Sequence, residues 1–543
     1  MDLSAAPGWG PTLTRRADRH FGRELPRVLS EAPYRLAELP GIGFKLADAA
    51  ALHFGMNRRS AARQAAAALY VLKEAEDDGH TALPIAEFGA RITEALQEPL
   101  SACEFNDDVT ERDGLMSRTK TLRDEERAAA LVDAMRRREC PRDLPINVNG
   151  LADDQAAALA AIQHANIFCL LGSPGTGKTT LIKSLAESNP NAKIAFCAPT
   201  GKAAKRMEEA TGRPARTVHR LLEAGIDERT GKFRFRRNAA NPIDSRIIVC
   251  DEASMLDIWL FTSLLEALAP DCRLILVGDI YQLPSVGPGR VLADLTKRGA
   301  VPNVELTQLK RHNPDLLIAK NCAEIKAGRP PIVRNTEAKD FFFIDAKDEM
   351  DIAAKVLDLV ATRLPTKYGV EPNRDIITLT ALRDKGMLSA KSLNEMLRVS
   401  LNMGTHDDVF APGDRVIQLS NNYKLDVMNG DLGTVVRRDG KNLVVQFDTP
   451  SRLVKEERPD STLNLAHGWC LTGHKFQGSQ IPWVIIPIHP SMEMMVPHRN
   501  WIYTCIGRAM QGCVLVGDRA FLSRIIGNVK DMNRCTRLAG FLG

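Results

Sequence analysis

The sequence predicts an α/β chain: two parallel-sheet domains in series, a helical region before them, and a small β-barrel set into the second. Three observations carry that prediction. From about residue 150, short continuous apolar runs recur with helix-forming segments between them; a glycine-rich signature follows the first run; and alternating short strands with tight turns interrupt the second set. Runs this short and wholly apolar suit strands buried on both faces, as a parallel sheet requires.

Residues 1–103 read as helices separated by Gly/Pro punctuation, with alanine-rich stretches at 46–53 and 61–69. Residues 104–124 are polar and charged and read as an exposed connector. A helix follows at about 125–139, stopped by Cys140-Pro141, so that 104–143 forms a connector-and-helix unit. The first α/β domain is expected over 144–300, with strands at Ile167–Leu171, Ile194–Ala198, Ile247–Cys250 and Leu274–Val277. The second is divided between 301–404 and 463–543, with strands at Ile376–Leu379, Val484–Ile488 and Val514–Val516. Between its parts, at 405–462, Asp414–Gln418, Gly433–Arg437 and Asn442–Phe447 read as short strands, with a hairpin turn at Asp439-Gly440.

At about 150 residues per domain, 543 residues suggest three or four. Hydrophobic residues at 44% and a net charge of +5 exclude a wholly disordered, collagen-like or coiled-coil chain. No apolar run approaches the roughly 18–20 residues of a membrane span, and the first residues lack the apolar core of a signal peptide. The 11 cysteines include no CxxC pair, and several lie inside apolar runs, as Cys169, Cys197 and Cys250 do. A reducing, cytoplasmic setting is expected. The sequence pI of about 8.6 allows an anionic partner without identifying one.

Gly172-Ser-Pro-Gly-Thr-Gly177-Lys178-Thr179 matches G-x-x-x-x-G-K-[ST] between a strand and the helix-forming Thr180–Glu187. Gly172, Gly175 and Gly177 let backbone N–H groups curl around phosphate, Lys178 reaches its outer oxygens, Thr180 follows at the helix start, and Thr179 can hold Mg²⁺. ATP and Mg²⁺ are the expected cofactors. Asp251-Glu252 ends another strand: the first carboxylate suits the Mg²⁺ shell and the second suits activation of water. Gly278-Asp279-Ile-Tyr-Gln282-Leu283-Pro284 ends a third, and Gln282 there can touch both γ-phosphate and water.

Further boxes stand in order along the chain: Leu151-Ala-Asp-Asp-Gln155, Ala198-Pro-Thr200-Gly201-Lys202-Ala203-Ala204, Thr217-Val-His219-Arg-Leu221, Gln308-Leu-Lys-Arg311, Thr472-Gly-His474-Lys475-Phe-Gln477-Gly478-Ser479 and Tyr503-Thr504-Cys-Ile-Gly507-Arg508-Ala509. The set resembles superfamily 1 DNA helicases, specifically the RecD-like branch that moves 5′ to 3′. The resemblance implies two RecA-like P-loop NTPase domains in tandem. It implies that Gln155 reads the adenine edge, and that Arg311 and Arg508 are arginine fingers supplied by the second domain. Thr200, Lys202 and His219 on one domain, and Thr472, His474 and Lys475 on the other, would contact the DNA strand. The insert resembles the SH3-like barrel of the same branch, through Gly413-Asp414-Arg-Val and Asn429-Gly430-Asp431. Upstream, Pro33-Tyr34-Arg-Leu36, Leu39-Pro-Gly41-Ile42-Gly43-Phe44-Lys45 and Gly79-His80-Thr81 are similar to the branch's helix–hairpin–helix region. Its Gly-Ile-Gly turn reads either as a phosphate grip or as a packing element without DNA contact.

Asp227–Arg237, with Phe233 and Phe235 alternating with arginines, reads either as the hairpin that splits the duplex or as an ordinary basic surface hairpin. Three departures from the family pattern stand out: Gly507 where a small hydroxyl residue is common, Gln480 where an acid is usual, and Phe476 in place of a serine. The expected function is an ATP-driven 5′-to-3′ helicase on single-stranded DNA and single/double-strand junctions, serving repair, recombination or replication, with no membrane partner. Two alternatives stay open: a translocase or loading switch that hydrolyses ATP without separating strands, and an RNA-directed motor.

Overall fold

The computed structural model describes residues 2–98, 107–140, 144–226, 233–308, 316–335, 339–401, 409–422, 424–439, 442–448, 451–456, 464–495 and 497–543. The N-terminal region is helical. Pro33–Glu38 leads through a turn into the helix Phe44–His53. Gly41 holds φ at +80° in that turn, which only glycine adopts cheaply, and Ile42 is buried beneath it. The helix Ala61–Asp77 starts where the Ser60 hydroxyl accepts from the Arg63 amide at 3.3 Å. Asp48 and Arg63 are both buried and pair at 2.8 Å, and Tyr34 Oη donates to the same carboxylate.

Of the expected connector at 104–124, the described part from 107 onward is structured instead. Val109–Arg112 and Leu115–Arg118 form an antiparallel hairpin, and Leu83–Pro84 adds a third strand. Asp113 and Gly114 turn it with φ at 55° and 74°, the pattern of a two-residue type I′ turn. The following helix begins at Thr119 rather than near 125, and ends at Arg137.

The first lobe is a six-stranded sheet in the order Asn303–Leu306, Ile167–Gly172, Arg273–Gly278, Ile247–Cys250, Ile194–Ala198, Ala215–Thr217, with every pairing parallel. The second is a five-stranded parallel sheet in the order Phe341–Asp345, Ala509–Gly517, Ile481–Ile488, Ile376–Thr380, Cys470–Thr472. The insert is an antiparallel sheet of Arg452–Glu456, Asn442–Phe447, Leu432–Asp439, Arg415–Gln418 and Leu465–His467 around Val416, Val435, Val445 and Phe447. These are two RecA-like domains in tandem with an SH3-like insert.

Parallel strands bring all their carboxyl ends to one edge of the sheet, where ligands of open α/β folds bind. In the first lobe that edge therefore collects the loop after Gly172, the pair after Cys250 and the carboxylate after Gly278.

Candidate ATP and DNA sites

The collected residues line a cleft of about 460 Å³ between the lobes, with Lys178, Thr179, Thr180, Asp251, Glu252 and Gln282 on one wall and Arg508 on the other. Gly175 and Gly177 hold φ at 88° and 85°, a left-handed pair that curls the loop ahead of the helix Lys178–Ser188. Lys178 Nζ donates to the carbonyls of Gly172 and Ser173. Gly172 ends its strand behind the loop, where a Cβ would stand 2.5 Å from Thr176 Oγ1. Gln155 is also behind it. Its Nε2 donates to the Gly177 carbonyl at 3.3 Å and its Oε1 accepts from the Ala152 amide at 3.1 Å, so its side chain braces the phosphate loop and is absent from the cleft lining.

Burial, then the Glu252 charge, raises the Asp251 carboxyl above its ordinary range, while the nearby Lys178 ammonium opposes the shift. A carboxylate in that position is one that a cation would stabilise. Glu252 is a non-glycine residue in the left-handed region, at φ 51°, ψ 38°. Such a conformation costs on the order of 1–3 kcal/mol and tends to sit at functional sites. Its amide donates to Asp251 Oδ1 at 2.9 Å, and its carbonyl accepts from the Met255 amide at 3.0 Å.

Arg508 reaches across the cleft. Its Nη2 donates to Gln282 Oε1, its Nη1 lies 3.9 Å from Glu252 Oε1, and it is buried. Three hydrogen bonds tie the start of the loop carrying Gln282 to the second lobe: the Leu283 amide donates to Thr504 Oγ1 at 2.9 Å, Asn500 donates to the Gln282 carbonyl at 3.0 Å, and Gln477 to the Leu283 carbonyl at 2.8 Å. Tyr503 Oη donates to Asp279 Oδ2 at 2.7 Å. Arg311 lies outside the described residues.

Sequence reasoning missed Arg206. It lines the cleft, and donates to the Gly478 carbonyl at 3.0 Å and to Gln480 Oε1 at 2.7 Å. Its signal was present, since Arg206 stands four residues beyond Lys202, on the same face of the helix Gly201–Thr211. The glutamine at 480 makes this cross-lobe contact a hydrogen bond to a neutral acceptor where an acid would make an ion pair.

The expected DNA contacts fall into two groups. Thr200, Lys202, Thr472, His474 and Lys475 surround the place where the two lobes meet the insert. Thr200 Oγ1 caps its helix by accepting from Ala203, and a Cβ at Gly478 would stand 3.3 Å from it. Thr472 Oγ1 accepts from the Lys475 amide at 3.3 Å, Lys475 Nζ donates to Asn429 of the insert, and His474 is exposed. Lys202 turns inward, with its Nζ 5.3 Å from the centre of the Phe476 ring. Burial lowers it to about 8 although Asp431 opposes the shift. The Phe476 departure thus supplies a face for a half-buried ammonium.

His219, Phe233 and Phe235 form the second group. The hairpin strands are Ala224–Ile226 and Phe233–Phe235, so it begins three residues before the expected 227–237, and residues 227–232 lie outside the described set. Phe235 stacks on Trp259 at 5.1 Å, Phe233 lies 5.9 Å from the same indole, and His219 lies 5.8 Å from Phe235. Phe233 is 52% exposed and Phe235 is half-buried. Trp259, on the helix Ile258–Glu266, is a residue sequence reasoning missed; its position on a helix remote in sequence gave no signal.

Two parallel-sheet lobes closing an arginine onto a P-loop define a RecA-like motor ATPase. Family models match an AAA domain at 155–288, the helix–hairpin–helix domain of the ATP-dependent RecD2 DNA helicase at 1–82, the SH3 domain of the ATP-dependent RecD-like DNA helicase at 391–447, and a UvrD-like helicase C-terminal domain at 467–516. The ATP-dependent RecD2 DNA helicase of Deinococcus radiodurans is 32% identical over 93% of this chain and 73% of its own length. The RecBCD enzyme subunit RecD of Mycolicibacterium smegmatis is 31% identical over 68% of this chain and 72% of its own. A Pif1 helicase from Bacteroides, solved with ADP-AlF3 and single-stranded DNA, is 18% identical with a TM-score of 0.44, covering 67% of this chain and 92% of that one. The chain belongs to the RecD-like family of superfamily 1 DNA helicases. Among the described residues no helix is long and apolar enough to cross a membrane.

Proposed function

We propose that this helicase moves 5′ to 3′ along single-stranded DNA, separates duplex at single/double-strand junctions, and serves repair, recombination or replication in the cytoplasm. The observation that carries the motor reading is Arg508, bonded to Gln282 and 3.9 Å from Glu252 across the inter-lobe cleft. The polarity rests on the family resemblance. The cysteines among the described residues are free thiols, mostly buried, which suits a reducing compartment.

In this reading the loop Gly175–Thr180 and Lys178 hold the phosphates of ATP, and Gly172 and Gln155 act indirectly by shaping that loop. Thr179 and Asp251 would hold Mg²⁺; when bound, the ion neutralises charge on the β- and γ-oxygens. Glu252 orients the attacking water and takes its proton, and Gln282 senses the γ-phosphate. Arg508, with Arg311, stabilises charge developing on the transferred phosphoryl group. Loss of the γ-phosphate removes what Arg508 was holding, and the lobes part. Grip on the strand alternates between Thr200, Lys202 and His219 on one lobe and Thr472, His474 and Lys475 on the other. Phe233 and Phe235 meet the junction.

The deciding experiment is ATP-dependent strand separation of two duplexes, one with a 5′ and one with a 3′ single-stranded tail. Opening of the 5′-tailed duplex alone is expected. Opening of the 3′-tailed duplex overturns the polarity. Opening of neither, with ATP turnover still stimulated by single-stranded DNA, replaces the helicase reading by a translocase or loading switch.

A further inference from the structure

Gly79-His80-Thr81 has no part in the cleft or in either DNA group. In the structure each of its residues meets one segment, Lys530–Leu542, which leaves the second lobe after the helix Arg519–Gly527. Gly79 ends the preceding helix at φ +88°, and a Cβ there would overlap the Arg534 guanidinium. The Cys535 amide donates to His80 Nδ1 at 3.0 Å, and the Thr81 amide donates to the Cys535 carbonyl at 2.9 Å. Beyond this socket, Arg537 donates to Ser117 Oγ and to the carbonyls of Leu115 and Arg112, clasping the Val109–Arg118 hairpin. Leu538 and Leu542 then bury themselves beside Ala128 and Val132 of the Thr119–Arg137 helix.

Arg534 also holds the loop that follows Gln282. Its Nη1 donates to the carbonyls of Ser285 at 2.9 Å, Gly289 at 3.1 Å and Gly287 at 3.4 Å. This loop, Ser285-Val-Gly-Pro-Gly289, begins three residues after Gln282. Two glycines loosen it, its proline donates no hydrogen bond, and Val286 at its tip is 76% exposed. One guanidinium therefore gathers carbonyls that the loop's own backbone leaves open. The Gly289 amide closes the circuit by donating to the Gly79 carbonyl at 2.9 Å.

We infer that Arg534 is a positioning residue that fixes the Gln282 loop against the Gly79-His80-Thr81 socket, so that the N-terminal region and the γ-phosphate sensor move as one unit. This rests on the reading of Gln282 as that sensor. A loosened loop leaves ATP binding intact but misplaces Gln282, so the effect falls on kcat during DNA-stimulated turnover and spares KM.

The test uses the full chain with Arg534→Ala, Arg534→Lys, Gly79→Ala and Gln282→Ala, each checked for folding by circular dichroism and thermal melting. Kinetics are measured for ATP with and without single-stranded DNA. Arg534→Ala and Gly79→Ala, which attack the contact from opposite sides, are each expected to lower DNA-stimulated kcat about 10-fold or more, with KM for ATP changed less than about twofold. Arg534→Lys restores part of the rate, since it keeps the positive charge on a shorter side chain that does not reach the position of Nη1. If Gln282→Ala slows turnover and a folded Arg534→Ala changes kcat by less than about threefold, the segment is only a structural clasp and the inference is overturned. If Gln282→Ala itself leaves turnover unchanged, it is the sensor reading that falls, and the inference with it.

Discussion

Gly507 and Pro174 face each other with no room for a side chain between them: a Cβ built on Gly507 would stand 2.9 Å from Pro174 Cγ. Gly507 caps the helix Arg499–Ile506 at an ordinary helical φ of −65°, so space rather than conformation calls for glycine. The departure from the family pattern at 507 therefore fits the proline in this chain's own phosphate loop. Gly507→Ala is expected to push the neighbouring Arg508 away from Gln282 and to lower kcat about 10-fold or more. Pro174→Ala, which removes the ring, should restore most of that loss in the double variant. Steady-state ATPase rates of the two single variants and the double give the answer.

Arg508→Ala should lower ATP turnover by about 10³-fold or more, in the range of a lost arginine finger, while a fluorescent ATP analogue still binds within a few-fold of the parent. Arg508→Lys should recover little, because a point charge does not reproduce the planar fork. Comparable losses of binding and turnover would assign Arg508 to nucleotide affinity instead.

The aromatic group predicts a split between two activities. Trp259→Ala removes the surface on which Phe235 stacks and Phe233 rests, and so loosens the hairpin without touching the cleft. Unwinding of tailed duplex should fall about 10-fold or more, as for Phe233→Ala or Phe235→Ala, with ATPase stimulated by single-stranded DNA held within about twofold. A stopped-flow unwinding assay run beside an ATPase assay checks the split.

Glu125 predicts a pH dependence of stability. Its carboxyl is fully buried, its Oε1 accepts from the Thr81 hydroxyl and from the amides of Arg537 and Leu538, and Oε2 has no hydrogen-bond partner among the described residues. Burial pushes it up to about 7, despite those hydrogen bonds. A carboxyl raised above its unfolded value of about 4.3 favours the folded state while protonated, so its stabilisation is complete below that value and is lost as pH rises through about 7. The melting temperature should therefore fall between about pH 5 and pH 8, and Glu125→Gln should flatten part of that slope. Other carboxyls that burial raises contribute in the same direction, among them Asp294, Asp124 and Asp251, each pushed up to about 6.

Several elements were legible from local pattern alone. The strands Ile167–Gly172, Ile247–Cys250 and Arg273–Gly278 are buried along their whole length, and their apolar runs announced it. The Val109–Arg118 hairpin was legible too, in Asp113-Gly114, but its charged flanks read as a connector. Cys470–Thr472, three residues long, gives no periodicity to read and is a strand because Ile376–Thr380 pairs with it.

Local sequence sets the chemistry on offer: a glycine pair before Lys178, acids at strand ends, a glutamine loop and an arginine near the end of the order. Each depends on residues close together in the chain, where spacing and backbone preference suffice. Which of these groups meet is a matter of packing. Gln155 braces the loop from behind, Lys202 turns toward Phe476, Trp259 carries the hairpin, and Arg534 joins Gly79 to the loop after Gln282. Those partners lie tens to hundreds of residues apart, and their meeting is set by how the sheets, insert and N-terminal helices pack, which no local pattern encodes.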